Sequence, residues 1–154
     1  MLGRDYEGQN CSIARALEVV GERWTLLIVR DAVAGRRRFD EFQQSLGISR
    51  NILTERLGRL VEEGIFERVR YQDHPERYEY RLTPKGRDLD LALQGLRQWG
   101  DTYLSERPPA LLRTKADKRP VVAALIPEGQ AHLHADEVEL VPGPGRPSSA
   151  REPS

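Results

Sequence analysis

The sequence predicts a mostly α chain with a small β ribbon, an α+β fold, followed by a short β-rich tail. Two patterns and one shift in composition support this. Apolar residues recur at helical spacing in successive segments from Ile13 onward, and Tyr78, Tyr80 and Leu82 alternate with Glu79 and Arg81. Eight of the ten prolines lie at or beyond Pro108. That shift places a boundary near Arg107. The expected organisation is a main domain over 1–106, a small β-appendage over 107–141 and a disordered tail over 142–154.

Ile13, Ala16, Leu17 and Val20 fall at i, i+3, i+4 and i+7, one face of a first helix that stops at Gly21. Trp24, Leu26, Leu27, Ile28, Val29 and Val33 surround a second helix ending near Gly35. A helix apolar on nearly every side is expected to be central and buried. Asp40 is the expected N-cap of a third helix, with Gln43 three residues later, an inner face of Phe42 and Leu46, and Gly47 as its stop.

Ser49 is a good N-cap for the next helix, whose stripe of Ile52, Leu53, Leu57, Leu60 and Val61 runs to Gly64. That stripe leaves Asn51, Glu55 and Gly58 on the opposite face, with Arg50, Thr54 and Arg59 on its flanks. Helix, short glycine-containing turn, helix is the helix-turn-helix pattern. A hairpin of Ile65–Tyr71 and Tyr78–Leu82, with Gln72–Arg77 as a polar loop, follows as a wing. Thr83 then caps a last helix with Pro84 at its first position. Leu89, Ala92, Leu93, Leu96, Trp99, Gly100 and Tyr103 make one stripe, and an unbroken helix from Pro84 to Ser105 would run about 33 Å. Such a helix exceeds the needs of a core this small. The excess, with the off-stripe Leu91, points to a dimerisation arm. In the tail, Val121–Ile126 and Val138–Val141 are expected to form a small hairpin, or a β-appendage laid on the body.

Composition narrows the function. The 154 residues carry 24 Lys+Arg and 24 Asp+Glu, which excludes a strongly basic polyelectrolyte binder and an acidic tail protein. The single cysteine excludes a disulfide framework and an all-cysteine zinc site. No window approaches 18 consecutive apolar residues, and Met1–Asn10 has no apolar stretch of signal-peptide type. Of the basic residues only Lys85, Lys115 and Lys118 are lysines. An arginine bias suits recognition of phosphate and guanine, and also a genome rich in G and C. The charge is uneven: 36–59 and 68–87 each hold six basic against three acidic residues, whereas 88–106 holds Arg97 against Asp88, Asp90, Asp101 and Glu106.

The residues Cys11, Ala14-Arg15-Ala16-Leu17 and Gly21-Glu22-Arg23-Trp24-Thr25 resemble the opening of HxlR-type winged helix-turn-helix transcriptional regulators, a MarR-like family. The resemblance continues through Arg38-Phe39-Asp40-Glu41-Phe42, Ile48-Ser49, Leu53-Thr54-Glu55-Arg56-Leu57 and Tyr80-Arg81-Leu82-Thr83-Pro84-Lys85-Gly86, in order and at family spacing. It implies a bacterial, cytoplasmic, nucleoid-associated homodimer on double-stranded DNA, with the first and last helices at the interface. Ile13, Leu17, Leu96, Trp99 and Tyr103 are the expected interface residues. In some members the cysteine at the position of Cys11 senses oxidants or electrophiles.

A helix inserted in the major groove meets base edges with its N-terminal residues, here Ser49, Arg50, Asn51 and Thr54, with Arg59 on a flank. Arg matches guanine and Asn matches adenine bidentately. Arg77 at the wing, Arg38 before the third helix and Arg23 before the second are the expected backbone contacts. Arg36–Arg38 suits a charged edge strand equally well, and Arg56 either braces the fold or reaches a phosphate. Helix N-termini favour thiolates, and Cys11 stands just ahead of Ile13. Its alternatives are a small residue at the dimer seam, or a sensor acting through an intersubunit or mixed disulfide. His132, His134 and Asp136 form a weak metal pattern on a short segment, so neither metal nor cofactor is expected. Trp24, Trp99, Tyr80 and Tyr103 suit packing, or the lining of a small-molecule effector cavity. With no Gly-rich phosphate loop and no readable nucleophile–base pair, an enzyme is not expected. The expected function is a sequence-specific regulator, a repressor on an inverted-repeat operator, responsive to an oxidant, electrophile or small ligand. Its rival is a winged-helix protein-interaction module that never touches DNA.

Overall fold

The computed structural model describes residues 8 and 10–146. The expected leader-free N-terminus thus lies largely outside the described residues, as does 147–154 of the expected disordered tail. Two compact units divide the chain, 1–90 and 91–154.

In the first unit α1 (Ser12–Val20), α2 (Thr25–Val33), α3 (Phe39–Leu46) and α4 (Arg50–Glu62) precede an antiparallel hairpin of β1 (Phe66–Asp73) and β2 (Glu76–Leu82), and the four-residue α5 (Pro84–Arg87) closes it. The core is Val20, Ile28, Val29, Phe42, Ile48, Leu53, Leu57, Leu60, Ile65 and Phe66. Phe66 anchors it, its ring lying 6.1 Å from Phe42 and 6.4 Å from Tyr80. The hairpin register pairs Phe66 with Leu82 and slips between Arg70 and Gln72.

Four local expectations are corrected. The N-cap of α3 is Arg38, not Asp40, because Glu41 rather than Gln43 reaches back to accept from the Arg37 and Arg38 N–H groups at 2.8 and 3.1 Å. Those bonds, that from Arg37 foremost, hold the Glu41 carboxyl below its ordinary range, with burial opposing. The second correction concerns α2: it buries Thr25, Ile28, Val29 and Asp31 but exposes Leu27 and Val33. Ile52, third, stands outside the core stripe, exposed on the first turn of α4. Finally, the wing turn is only His74-Pro75, a cis peptide, so Arg77 belongs to strand β2 opposite Gln72.

The last helix is not continuous. Asp88 donates to Pro84 and Leu89 donates to Gly86, an i to i+3 bond that tightens the turn, and α6 begins at Asp90. Gly86 is held there by close approach: a Cβ on it would lie 2.2 Å from the Ile65 carbonyl. The remaining helix, Asp90–Tyr103, is about 21 Å long at 1.5 Å per residue.

The second unit holds α6, β3 (Ala110–Thr114), a 3₁₀ turn (Ala135–Glu137) and β4 (Val138–Pro142). Here too the structure departs from expectation: β4 pairs with β3, not with 121–126. Pro120 and Pro127 flank that segment and lack donors, and the Gln98 side chain takes both polar groups of Ala123, at 3.0 and 2.9 Å. This clasp explains why α6 groups with the tail rather than ending the first unit near 106. The tail beyond 141 is not free at its start: Gly143 and Gly145 donate to Pro109 and Pro108 at 2.9 and 3.0 Å. Glu139 accepts from Lys118 (2.9 Å) and Arg113 (2.7 Å), which hold its carboxyl below the usual range.

Candidate nucleic-acid interface

Helices α3 and α4 are joined by Gly47-Ile48-Ser49. Gly47 adopts a left-handed φ of 65°, which a side chain would strain, and its N–H closes α3 on Gln43 at 2.8 Å. Ile48 is buried beneath the turn, and Ser49 Oγ accepts the Ile52 N–H at 3.2 Å to start α4. These contacts, with Leu53, Leu57 and Leu60 in the core, turn Arg50, Asn51 and Thr54 outward together. Among the described residues, Asn51 and Thr54 make no side-chain hydrogen bond within the chain. Arg50 makes no ion pair among the described residues; its guanidinium lies 4.7 Å from the Phe39 ring centroid.

The other expected contact residues divide sharply. Arg77 is exposed beside the turn, and its possible partner Glu76 pairs instead with Arg70 at 2.7 Å, leaving Arg77 without an ion pair among the described residues. Arg59 is engaged with Glu63 at 3.1 Å. Arg38 lies over Tyr71 at 4.4 Å and faces Glu79 at 3.9 Å. The Arg37 carbonyl accepts from the Tyr80 N–H at 2.7 Å, so this arginine run lies along the β2 edge. Arg23 stacks 5.4 Å over Trp24. The open choice at Arg56 resolves as bracing: its Nε donates to the Arg23 carbonyl (3.1 Å), and it pairs with Glu22 (2.7 Å) and Glu55 (3.2 Å).

The motif Thr83-Pro84-Lys85-Gly86 does more than start a helix. Thr83 Oγ1 bonds the Gly64 and Ile65 carbonyls and accepts the Gly86 N–H, while Lys85 Nζ caps Glu63 O at 2.6 Å. It thus pins the wing base to the end of α4, which the sequence hinted at only by the turn residues.

The family profile for HxlR-like helix-turn-helix proteins matches residues 19–108. An uncharacterized HTH-type transcriptional regulator of Mycobacterium tuberculosis is 48% identical over 151 residues, 94% of this chain and 92% of that one. The chain belongs to the HxlR-like helix-turn-helix family. It is accordingly a transcriptional regulator of the winged helix-turn-helix, MarR-like type. The HxlR-like fold is shared with the crystal structure of PA1607, assigned as a transcription factor, at 40% identity and a TM-score of 0.70, covering 84% of this chain and 93% of that one. The redox regulator HypR in its oxidized form is similar over 60% of this chain and 96% of its own, at 31% identity and a TM-score of 0.55.

On the two helices expected to make a dimer, the five expected interface residues are exposed. Ile13 and Leu17 on α1 and Leu96, Trp99 and Tyr103 on α6 are all open, and Trp99 and Tyr103 lie 5.5 Å apart. Cys11 is the exposed N-cap of α1. Among the described residues no group of three or more His, Cys, Asp or Glu could hold a metal, and no helix is long and apolar enough to cross a membrane. The His132 and His134 rings lie 4.8 Å apart, tilted by 57°.

Proposed function

We propose that the chain binds double-stranded DNA as a homodimer and represses transcription from an inverted-repeat operator. The first turn of α4 enters the major groove of each half-site, with Arg50 and Asn51 reading bases and Ser49 and Thr54 beside them. The wing lays Arg77 along the adjacent backbone. The observation that carries this reading is the outward first turn of α4, where Arg50, Asn51 and Thr54 present side-chain polar groups that no neighbour among the described residues satisfies through an ion pair or hydrogen bond. Arg59, Arg38 and Arg23 serve as secondary contacts, in an order set by how readily each leaves its present partner. A two-fold dimer built on the exposed stripes of α1 and α6 would set the half-sites about one helical turn, ~34 Å, apart. In this reading the protein works in the bacterial cytoplasm.

The similarity to a redox regulator supports an effector reading for Cys11, through an intersubunit or mixed disulfide. One experiment tests the whole: selection of bound sites from random DNA by the purified chain, before and after thiol oxidation. An enriched palindrome is expected, lost on oxidation in the wild type and retained in Cys11→Ser. Binding to no DNA at low salt would sink the DNA reading and favour a protein-interaction module. Oxidation that leaves the palindrome bound would sink the Cys11 reading alone.

A further inference from the structure

Phe39 and Arg50 each occupy the first position of a helix, α3 and α4, and the Arg50 guanidinium carbon stands 4.7 Å from the Phe39 ring centroid. The positive charge of Arg50 is poorly placed on its own helix, since the N-terminus of α4 already carries the positive end of the dipole. Other arginines of the same unit are satisfied by carboxylates: Arg56 by Glu22, Arg59 by Glu63, Arg70 by Glu76 and Arg81 by Glu79. Arg50 has a ring face instead.

The difference matters for recognition. A carboxylate takes up guanidinium N–H groups as hydrogen-bond donors and must be displaced before a base can use them. The negative face of an aromatic ring attracts the charge but is a far weaker acceptor than a carboxylate, so the five N–H donors stay open to a stronger partner. It also restricts a long side chain that otherwise loses substantial rotamer freedom on binding. Phe39 is half-buried, and the core ring of Phe42 anchors the same helix, so the backbone that carries the platform is held in place.

We infer that Phe39 is a positioning residue for sequence reading: its ring holds the Arg50 guanidinium at the mouth of the groove with its N–H fork free for the O6 and N7 of a guanine. This rests on the proposed role of Arg50 in base contact. It adds that the specificity of Arg50 depends on a residue that touches no DNA.

The test measures binding of the full chain to its selected operator and to operators substituted at each base pair, for Phe39→Leu, Phe39→Trp, Arg50→Ala and Phe39→Leu/Arg50→Ala, with thermal unfolding followed for each. Arg50→Ala is expected to erase preference at one base pair per half-site. Phe39→Leu, which keeps apolar bulk without the π face, should lower preference at that same pair about two- to fivefold. Phe39→Trp should restore it, and the double variant should lose no more than Arg50→Ala. If Phe39→Leu weakens all operators equally, or leaves the preference intact while Arg50→Ala erases it, the inference falls and the role of Arg50 stands. If Arg50→Ala changes no base preference, the base-reading role of Arg50 falls, and the inference with it.

Discussion

Arg56 on α4 donates to the backbone carbonyl of Arg23, 33 residues earlier in the chain, at 3.1 Å. The carbonyl belongs to the turn in which Trp24 adopts φ 80°, a left-handed conformation that is costly for a residue with a Cβ. Trp24 in turn starts α2, accepting the Ile28 N–H at 2.9 Å. One guanidinium thus ties the helix that carries Arg50 and Asn51 to the strained joint between α1 and α2. Arg56→Ala is expected to cost about 1–2 kcal/mol, the loss of a charge-assisted bond from a mostly covered side chain. Arg56→Lys should recover part of it. Thermal or denaturant unfolding checks this, and a change within error of zero would show that the contact is incidental.

Glu41 contributes a pH-dependent increment. Its carboxyl is held below the ordinary value, chiefly by the Arg37 N–H. Its stabilisation is therefore complete above the unfolded carboxylate range and is lost as pH falls through the lower folded value. Glu41→Gln, which keeps an acceptor but no charge, should be less stable than wild type by roughly 0.5–1 kcal/mol at neutral pH. The gap should close as pH falls below the ordinary carboxylate range. A gap that stays constant into acid would assign the difference to packing instead.

Two glycines in helices should respond in opposite directions. At Gly58, on the exposed face of α4, an added Cβ meets nothing within 4 Å, so Gly58→Ala should stabilise by about 0.5–1 kcal/mol. At Gly86 the same methyl would press on the Ile65 carbonyl at 2.2 Å and on Leu82 Cδ2 at 2.9 Å. Gly86→Ala should cost about 2–3 kcal/mol and loosen the wing base. Paired melting curves decide both.

Asn51 and Arg77 should separate base reading from backbone attraction. Asn51→Ala is expected to relax preference at one position per half-site, by about 1–3 kcal/mol. Arg77→Ala should weaken all sequences alike and reduce the salt slope by about one. Binding across a substituted operator set at several salt concentrations measures both. A uniform loss for each variant would erase the division.

Much of the first unit was legible because its signals are local. Gly21, Gly47 and Gly64 mark helix stops, Ser49 is an N-cap, and the Leu53, Leu57, Leu60 stripe declares its buried face. The errors came where neighbours compete. Asp40 and Glu41 are both plausible capping groups, and only the path of the chain shows that Glu41 reaches the Arg37 and Arg38 amides. Ile52 is apolar and near the stripe, yet the first turn of α4 projects beyond the core. In the tail, Val121–Ile126 has strand composition, but Gln98 takes both backbone groups of Ala123 in its middle.

The sequence by itself determined the first four helices, the turn between α3 and α4, the wing hairpin and the family. Periodicity, caps and turn residues act over a few positions and need no knowledge of the rest of the chain. Only the tertiary structure decided which arginines are occupied: Arg56 braces, Arg59 and Arg38 have partners, while Arg50 rests on Phe39 and Arg77 has no ion pair among the described residues. Net charge could not show this, because a guanidinium's availability depends on which carboxylate or ring the fold brings within about 4–6 Å.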